Sequence, residues 1–503
     1  MNKLIIIVFT LLYLLFPTHN STTDAYIYAA NVKWDHDLFF PHHLLYNIPG
    51  SVIYSLIKPF GFEIGALQAM KAVNAIVAGL TLYVFLKIVK QLPLDKEITT
   101  GLLLVTGSSF GFFRFATENE AYIFPIFLSV LSSYYFLIFM DEKKSFFVFL
   151  SGFFASMACL FHQIHLFWAL GIFIGLLFDN KKTEHVLIFL IPALLVPTVY
   201  FITFHFGDNK FMKAGNLFAF IFYDYFYGVT DVRFNFDNII LGFINLIRSY
   251  VQVHGIIFIL LRKYPFLIIA ILFSAFFLLK ASLNLKPVAK NRHINSPFLL
   301  SHLIIFVLQF AFAVFAGGNA EFMVMLPLLS LLLVAPYVDL SYRFYTYLGM
   351  SILIWNFSFA VFPNHVFDYQ NNKKLIDIIK KQPDGYFILS DDVLVQNKIY
   401  YQTGIPWNGH IIKSPAGYKI NGKDKSLLRF RIDSILNTDK QIFTDCIDEP
   451  IIYNRAAYLS ADENKDFFKT YNVLKTGSFQ TFAGTKYIYA IKNRYNEKTK
   501  PHY

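Results

Sequence analysis

The feature that most constrains this chain is a succession of long apolar stretches broken by short polar turns. They run at roughly 4–16, 64–88, 98–115, 121–140, 146–162, 164–178, 186–206, 264–283, 297–316, 322–338 and 345–362. Several approach the ~20 residues that a helix needs to cross a bilayer, and the shorter ones imply tilt or local thinning. The sequence therefore predicts a polytopic α-helical membrane protein with about eleven transmembrane helices. Composition agrees, because 15% charged residues against 56% hydrophobic ones cannot coat a soluble globule of 503 residues. The net charge of +11 then bears on topology rather than on nucleic acid.

Residues 4–16, behind Lys3, have the apolar run of a signal peptide, but PTHNSTTDAY offers no small-x-small cleavage site, so an uncleaved first helix is expected. Cys159 falls in a predicted span and Cys446 in the tail, which argues against a disulfide and assigns no redox compartment.

The turns QLPLDKE, MDEKK, DNKKTEH and LKPVAKNRH carry lysines, whereas those around Glu118 and Glu120 and around His162–His165 carry few cations. Positive residues mark the cytoplasmic side, which puts the lysine turns inside and the polar stretch 18–61 outside. The aromatic and charged segment 207–262 reads as interfacial helices, with one further span as the alternative. An odd total of spans leaves the C-terminus outside. From about Pro363 the pattern changes to helical KKLIDIIKK and short apolar strands such as GYFILS, QIFTDC and TKYIYAIKN. The expected organisation is a membrane domain at 1–362 and a small α/β soluble domain at 363–503. The style of the chain suggests a bacterial inner membrane, with the soluble domain on the periplasmic side.

Charge at the lip of a membrane bundle is costly and usually faces a cavity. That filter selects Asp24, Asp35, Asp37, His42 and His43 in the first outer loop, Arg114, Glu118 and Glu120 at the next outer turn, His162 and His165, and Glu321. Such one-sided clustering suits transfer of a sugar from a lipid phosphate, where a carboxylate takes the acceptor's proton and cations meet the departing phosphate. Asp24 is the first choice for base, with Glu118 and Glu120 as further catalytic candidates. Asp35, Asp37, His42, His43, Arg114, His162 and Glu321 are candidates for substrate contact. Each has a plainer reading: Asp24 could cap a helix, Asp35 and Asp37 could be solvated, the histidines could be interfacial, and Arg114 could pair with Glu118 or Glu120 instead of a phosphate. His162 and His165, at i and i+3, could ligate a metal, but two histidines alone are a weak signal and core or interfacial hydrogen bonding is the preferred reading; a divalent ion at the acidic cluster stays open and the metal unknown. In the tail, Asp391-Asp392 after a strand reads as a turn rather than a metal-binding acidic pair.

The string T-D24-A-Y26-I-Y28-A-A, then H42-H43-L-L-Y and KPFGFEIGALQAMKAVNAI, resembles the opening of the GT-C glycosyltransferase superfamily, in particular its protein O-mannosyltransferase-like and aminoarabinose-transferase-like branches. FFRFATENEAYIFPIFLSVLSSYYFLIF resembles that superfamily's second acidic motif, and GGNAEFMVMLPLLSLLL its late helix with a proline. The chain departs from the pattern in having Asp24-Ala25 where many members carry Asp-Glu, and in placing Pro41 before the histidine pair. The resemblance implies a helical bundle with catalysis at outer loops, a polyprenyl-phosphate-linked sugar donor, a glycan, lipid or protein acceptor, and Asp24 as the base of an inverting transfer. It implies no nucleic acid partner. Two rivals are a flippase for lipid-linked sugars, which would place charges near the midplane and show half-repeats, and an outer-face polysaccharide polymerase or ligase using Arg233 and Arg248.

Overall fold

The computed structural model describes residues 2–492 apart from 61–63, 180, 208–214, 227–234, 286–287, 290–295, 408–409, 419–421, 439, 449 and 451–454. Arg233 and most of the LKPVAKNRH turn thus lie outside the described residues. The chain divides into two compact units, one comprising Met1–Thr18, Asn31–Val253 and Phe266–His365, the other His19–Ala30, His254–Pro265 and Val366–Tyr503.

The first unit is a helical bundle. Among the described residues seven helices are long and apolar enough to cross a membrane, eight when Ile98–Ser108 and Phe110–Ala116 count as one bent span. The three remaining predicted spans coincide with the shorter apolar helices Asn2–Leu15, Ser145–Phe161 and Gln163–Leu176. The chain is therefore a multi-pass integral membrane protein. Small and hydroxyl residues join its helices: Ser132 and Ser151 exchange side-chain to carbonyl bonds at 2.7 and 2.9 Å, and Ser274 and Ser351 do so at 3.0 and 2.9 Å.

No helix of 207–262 qualifies as a span among the described residues. Phe236–Tyr250 buries Gly242, Asn245 and Ser249 and exposes Phe236, Ile240, Phe243, Ile244 and Ile247, the reverse of a water-facing helix and the pattern of one lying at the lipid interface. The predicted span 98–115 is bent by 63°, although it contains no proline. Ser109 leaves helical geometry at ψ 137°, its hydroxyl bonds the Thr106 carbonyl, and the Asn356 side chain donates to the freed Ser108 carbonyl at 2.7 Å.

In the second unit five strands, β1 (Tyr386–Leu389), β2 (Ile411–Lys413), β3 (Ile442–Thr444), β4 (Asn472–Gln480) and β5 (Thr485–Lys492), form one sheet in the order β2-β1-β3-β5-β4. β1 is parallel to β2 and β3, and β5 runs antiparallel to β3 and β4. Strand alternation separates two cores. Phe387, Leu389, Ile411 and Phe443 pack with helices Asn372–Lys380 and Asp392–Thr403 on one face. Ile388, Ile412 and Ile442 pack with Gly422–Leu436 and Arg455–Phe468 on the other.

Candidate functional site

The acidic turn TENEAY, between Phe110–Ala116 and Ile123–Glu142, is held by side chains of the preceding long helix, Ala66–Gln91. Lys71 Nζ lies 3.4 Å from Glu118 Oε1, both side chains being buried, and it also donates to the Thr18 carbonyl at 2.6 Å. Asn74, one turn along, donates to the carbonyls of Glu118 and Glu120 at 2.7 and 3.0 Å. Tyr46 donates its hydroxyl proton to Asn119 Oδ1 at 2.7 Å. The expected pairing of Arg114 with one of the turn's acids is not made, because Lys71 occupies Glu118 and Arg114 has no acidic partner among the described residues. Glu120 is buried in the same turn.

The first loop docks on the turn after Ser145–Phe161. Gln163 N–H donates to the His42 carbonyl at 3.2 Å, and the Leu45 N–H to the Leu160 carbonyl at 3.1 Å. This brings His43 against His162, with ring centroids 4.2 Å apart, and His42 against His43 at the same separation. His42 Nδ1 is 2.8 Å from Asp224. Burial first, then the neighbouring His42 and His162, holds His43 well below the usual imidazole range. His162 Nδ1 accepts the Ile164 amide at 3.4 Å, while its other ring nitrogen is buried without a partner. The predicted pairing of His162 and His165 on one helical face is not formed. His162 is extended at φ −160°, and His165 bonds Ser129 at 2.7 Å. Among the described residues no three His, Cys, Asp or Glu side chains are grouped to hold a metal ion.

Tyr122 joins these groups. Its ring is 5.3 Å from His162 and 4.7 Å from Phe115, and its hydroxyl donates to Glu321 Oε2 at 3.2 Å. Arg114 lies over Phe115 at 5.0 Å. Arg248, on the interfacial helix, donates to Asn245 at 2.9 Å and keeps a buried Nε without a partner. Its proton affinity is lowered by burial and then by the nearby positive charge of Arg114. Two guanidinium groups thus lie within each other's field, and among the described residues neither has a carboxylate. Asn356 fixes both supports: besides Ser108 it donates to the Tyr250 carbonyl at 2.8 Å and accepts the Gln252 amide at 2.9 Å.

Asp35 and Asp37 both adopt positive φ, 54° and 46°, at the end of helix Thr23–Trp34. Asn31 secures the Asp37 carbonyl at 2.9 Å, and Asn47 the Leu38 carbonyl at 3.1 Å. Asp24 belongs to the second unit, in the first turn of that helix, and is exposed. The capping acceptor is the hydroxyl of Thr22, which takes the Ala25 amide at 3.1 Å. Asn397 donates to the Thr23 carbonyl at 3.0 Å, and Tyr401 packs on Tyr26 with ring centroids 5.9 Å apart.

No family profile and no curated protein matches the chain. Among solved structures, the apo oligosaccharyltransferase of Archaeoglobus fulgidus is 13% identical, with 97% of this chain and 74% of that chain covered and a TM-score of 0.50. ArnT from Cupriavidus metallidurans is 11% identical over 97% of both chains, at a TM-score of 0.41. The arabinofuranosyltransferase AftD from mycobacteria is 10% identical over 97% of this chain and 41% of that one, at 0.43. The likeness to the first of these is one of fold.

Proposed function

We propose that this chain, whose fold is that of the GT-C membrane glycosyltransferases, transfers a sugar from a polyprenyl-phosphate-linked donor to an acceptor hydroxyl at the outer face of the membrane. The observation that carries the reading is the placement of Arg114 and Arg248 on two elements that Asn356 ties together, with Gly111 of one against the Ser249 carbonyl of the other, neither arginine being paired with a carboxylate among the described residues. Guanidinium groups without a carboxylate partner favour a phosphate anion: the donor's phosphodiester brings one negative charge, and the lipid phosphate that transfer releases gains a second, so the arginines stabilise the leaving group more than the bound donor. The acceptor oxygen attacks the anomeric carbon as its proton passes to a carboxylate base, a role that the resemblance of the sequence motif, not a measured geometry, gives to Asp24. The bond from that carbon to the phosphate oxygen breaks on the opposite side, inverting the centre, and the released lipid phosphate keeps the electron pair beside the arginines. Glu118, engaged by Lys71, orders the acidic turn, while Asp35, Asp37, His42, His43, His162, Glu120 and Glu321 shape the donor and acceptor positions around it.

The test is transfer of radiolabelled sugar from polyprenyl-phosphate monosaccharides in membranes carrying matched amounts of each variant. Asp24→Asn is expected to lower the rate by about 10²–10⁴-fold, the range for a lost general base. Arg114→Gln and Arg248→Gln are expected to raise the donor concentration needed for half-maximal rate. Full activity in Asp24→Asn would move the base to Asp35, Asp37 or Glu120. Absence of transfer from every lipid-linked donor would sink the reading.

A further inference from the structure

The second unit contains a crevice of about 550 Å³ that the proposed transfer does not use. It opens where the three parallel strands end: Ser390 follows β1, Ser414 follows β2 and Asp445 follows β3, and all three line it. The chain leaves β1 for β2 through Asp392–Thr403 on one face of the sheet and returns to β3 through Gly422–Leu436 on the other. The loops after β1 and β3 therefore diverge, which is the topological reason open parallel sheets bind ligands at that edge.

Its floor is internally neutral. Asp445, 2% exposed, accepts the Ser390 amide at 2.8 Å and its hydroxyl at 3.2 Å, and pairs with Lys486 at 2.9 Å. Lys486 also donates to Ser390 Oγ at 2.7 Å, and among the described lining residues it is the only ammonium or guanidinium group. On the wall, Asp391 precedes the helix without capping it, and its carboxylate accepts one long bond, 3.3 Å, from Gln370. The Tyr369 hydroxyl is shut off from solvent and makes no hydrogen bond. Phe479 and Ile259 supply apolar surface.

These groups select a ligand. In related sheets a phosphate rests on the N-terminus of the helix after the first strand. Here the Asp391 carboxylate stands on the wall just before that helix, and the one lysine among the described lining residues is already paired, so an anion would meet a negative charge and, among those residues, no unpaired ammonium or guanidinium group. A neutral molecule rich in hydroxyls meets the opposite situation, with a carboxylate and hydroxyls to bond and aromatic faces to lie against. We propose that the crevice is a binding site for a neutral saccharide, distinct from the groups assigned to sugar transfer and independent of that assignment.

The test is saturation-transfer NMR on the full chain in lipid nanodiscs, which avoids the sugar headgroups of maltoside detergents. The probes are mannobiose, cellobiose and diacetylchitobiose, with inorganic phosphate and UMP as anionic rivals. At least one disaccharide should bind, about tenfold more weakly in Asp391→Ala, as expected for a lost charged hydrogen bond. Tyr369→Phe should also weaken binding while leaving Tm unchanged, since that hydroxyl has no partner to lose. Arg114→Gln, in the other unit, should bind as the native chain does. Binding of the anions in place of the sugars, no disaccharide binding, or sugar binding indifferent to both crevice substitutions would overturn the proposal.

Discussion

A buried ion pair is the residue-scale feature with the largest expected effect. Lys71→Met would leave the Glu118 carboxylate buried and uncompensated, a change that typically costs about 3–5 kcal/mol. The double variant Lys71→Met with Glu118→Gln should recover much of that loss, and thermal unfolding of the set in nanodiscs measures it. An equal loss in the single and double variants would show that the pair is not coupled. His43 gives a second residue-scale prediction. Its folded imidazole is held below its ordinary value, so the unfolded chain binds the proton more readily. Its contribution to stability is full above about pH 6.5 and lost as the pH falls towards the depressed value. Tm should therefore drop on acidification through that window, with a shallower slope in His43→Gln. At this scale the sequence was only partly legible. Charge at the turns singles out Glu118 and Glu120 but not Lys71 and Asn74, which sit inside an apolar span. A lysine and an asparagine three apart on one helical face were the available signal.

At the scale of elements, length and apolarity sufficed for the spans, because a bilayer imposes both. The bend at Ser109 was not legible, since the capture of the freed Ser108 carbonyl by Asn356 is a contact between residues far apart in sequence. Asn356→Leu would orphan the Ser108 and Tyr250 carbonyls together, and each buried group left unsatisfied costs about 1–3 kcal/mol. The arginine-bearing segments should then lose their fixed placement, so donor KM is expected to rise more than kcat falls. A kcat effect alone would assign Asn356 elsewhere. The glycine pair in GGNAE makes a sharper contrast. Gly317 and Gly318 have φ of 76° and 70°, but only at Gly318 would a Cβ come within 2.8 Å of Leu241. Gly317→Ala should cost about 1 kcal/mol of backbone strain and Gly318→Ala clearly more, read as a difference in Tm.

For the whole molecule, the orientation inferred from lysine-bearing turns makes a direct prediction. Cys159 and Cys446 are both buried, so single cysteines added at exposed positions can be labelled against a quiet background. A membrane-impermeant maleimide applied from outside should modify Lys373→Cys but not Lys96→Cys or Lys144→Cys until the membrane is opened. The reverse pattern would invert the topology and with it the proposed face of the reaction.

The Lys71–Glu118 pair also bears on the order in which the chain is made. Lys71 leaves the ribosome 118 − 71 = 47 residues before its partner, on a helix that must enter the bilayer first. An ammonium in such a helix opposes insertion by up to about 2.5–3.5 kcal/mol at its centre and less near an end. The helix Ala66–Gln91 is therefore expected to linger at the translocon until the acidic turn arrives. Nascent chains halted before Glu118 should integrate less completely than the same chains carrying Lys71→Leu, and extension past the turn should erase the difference.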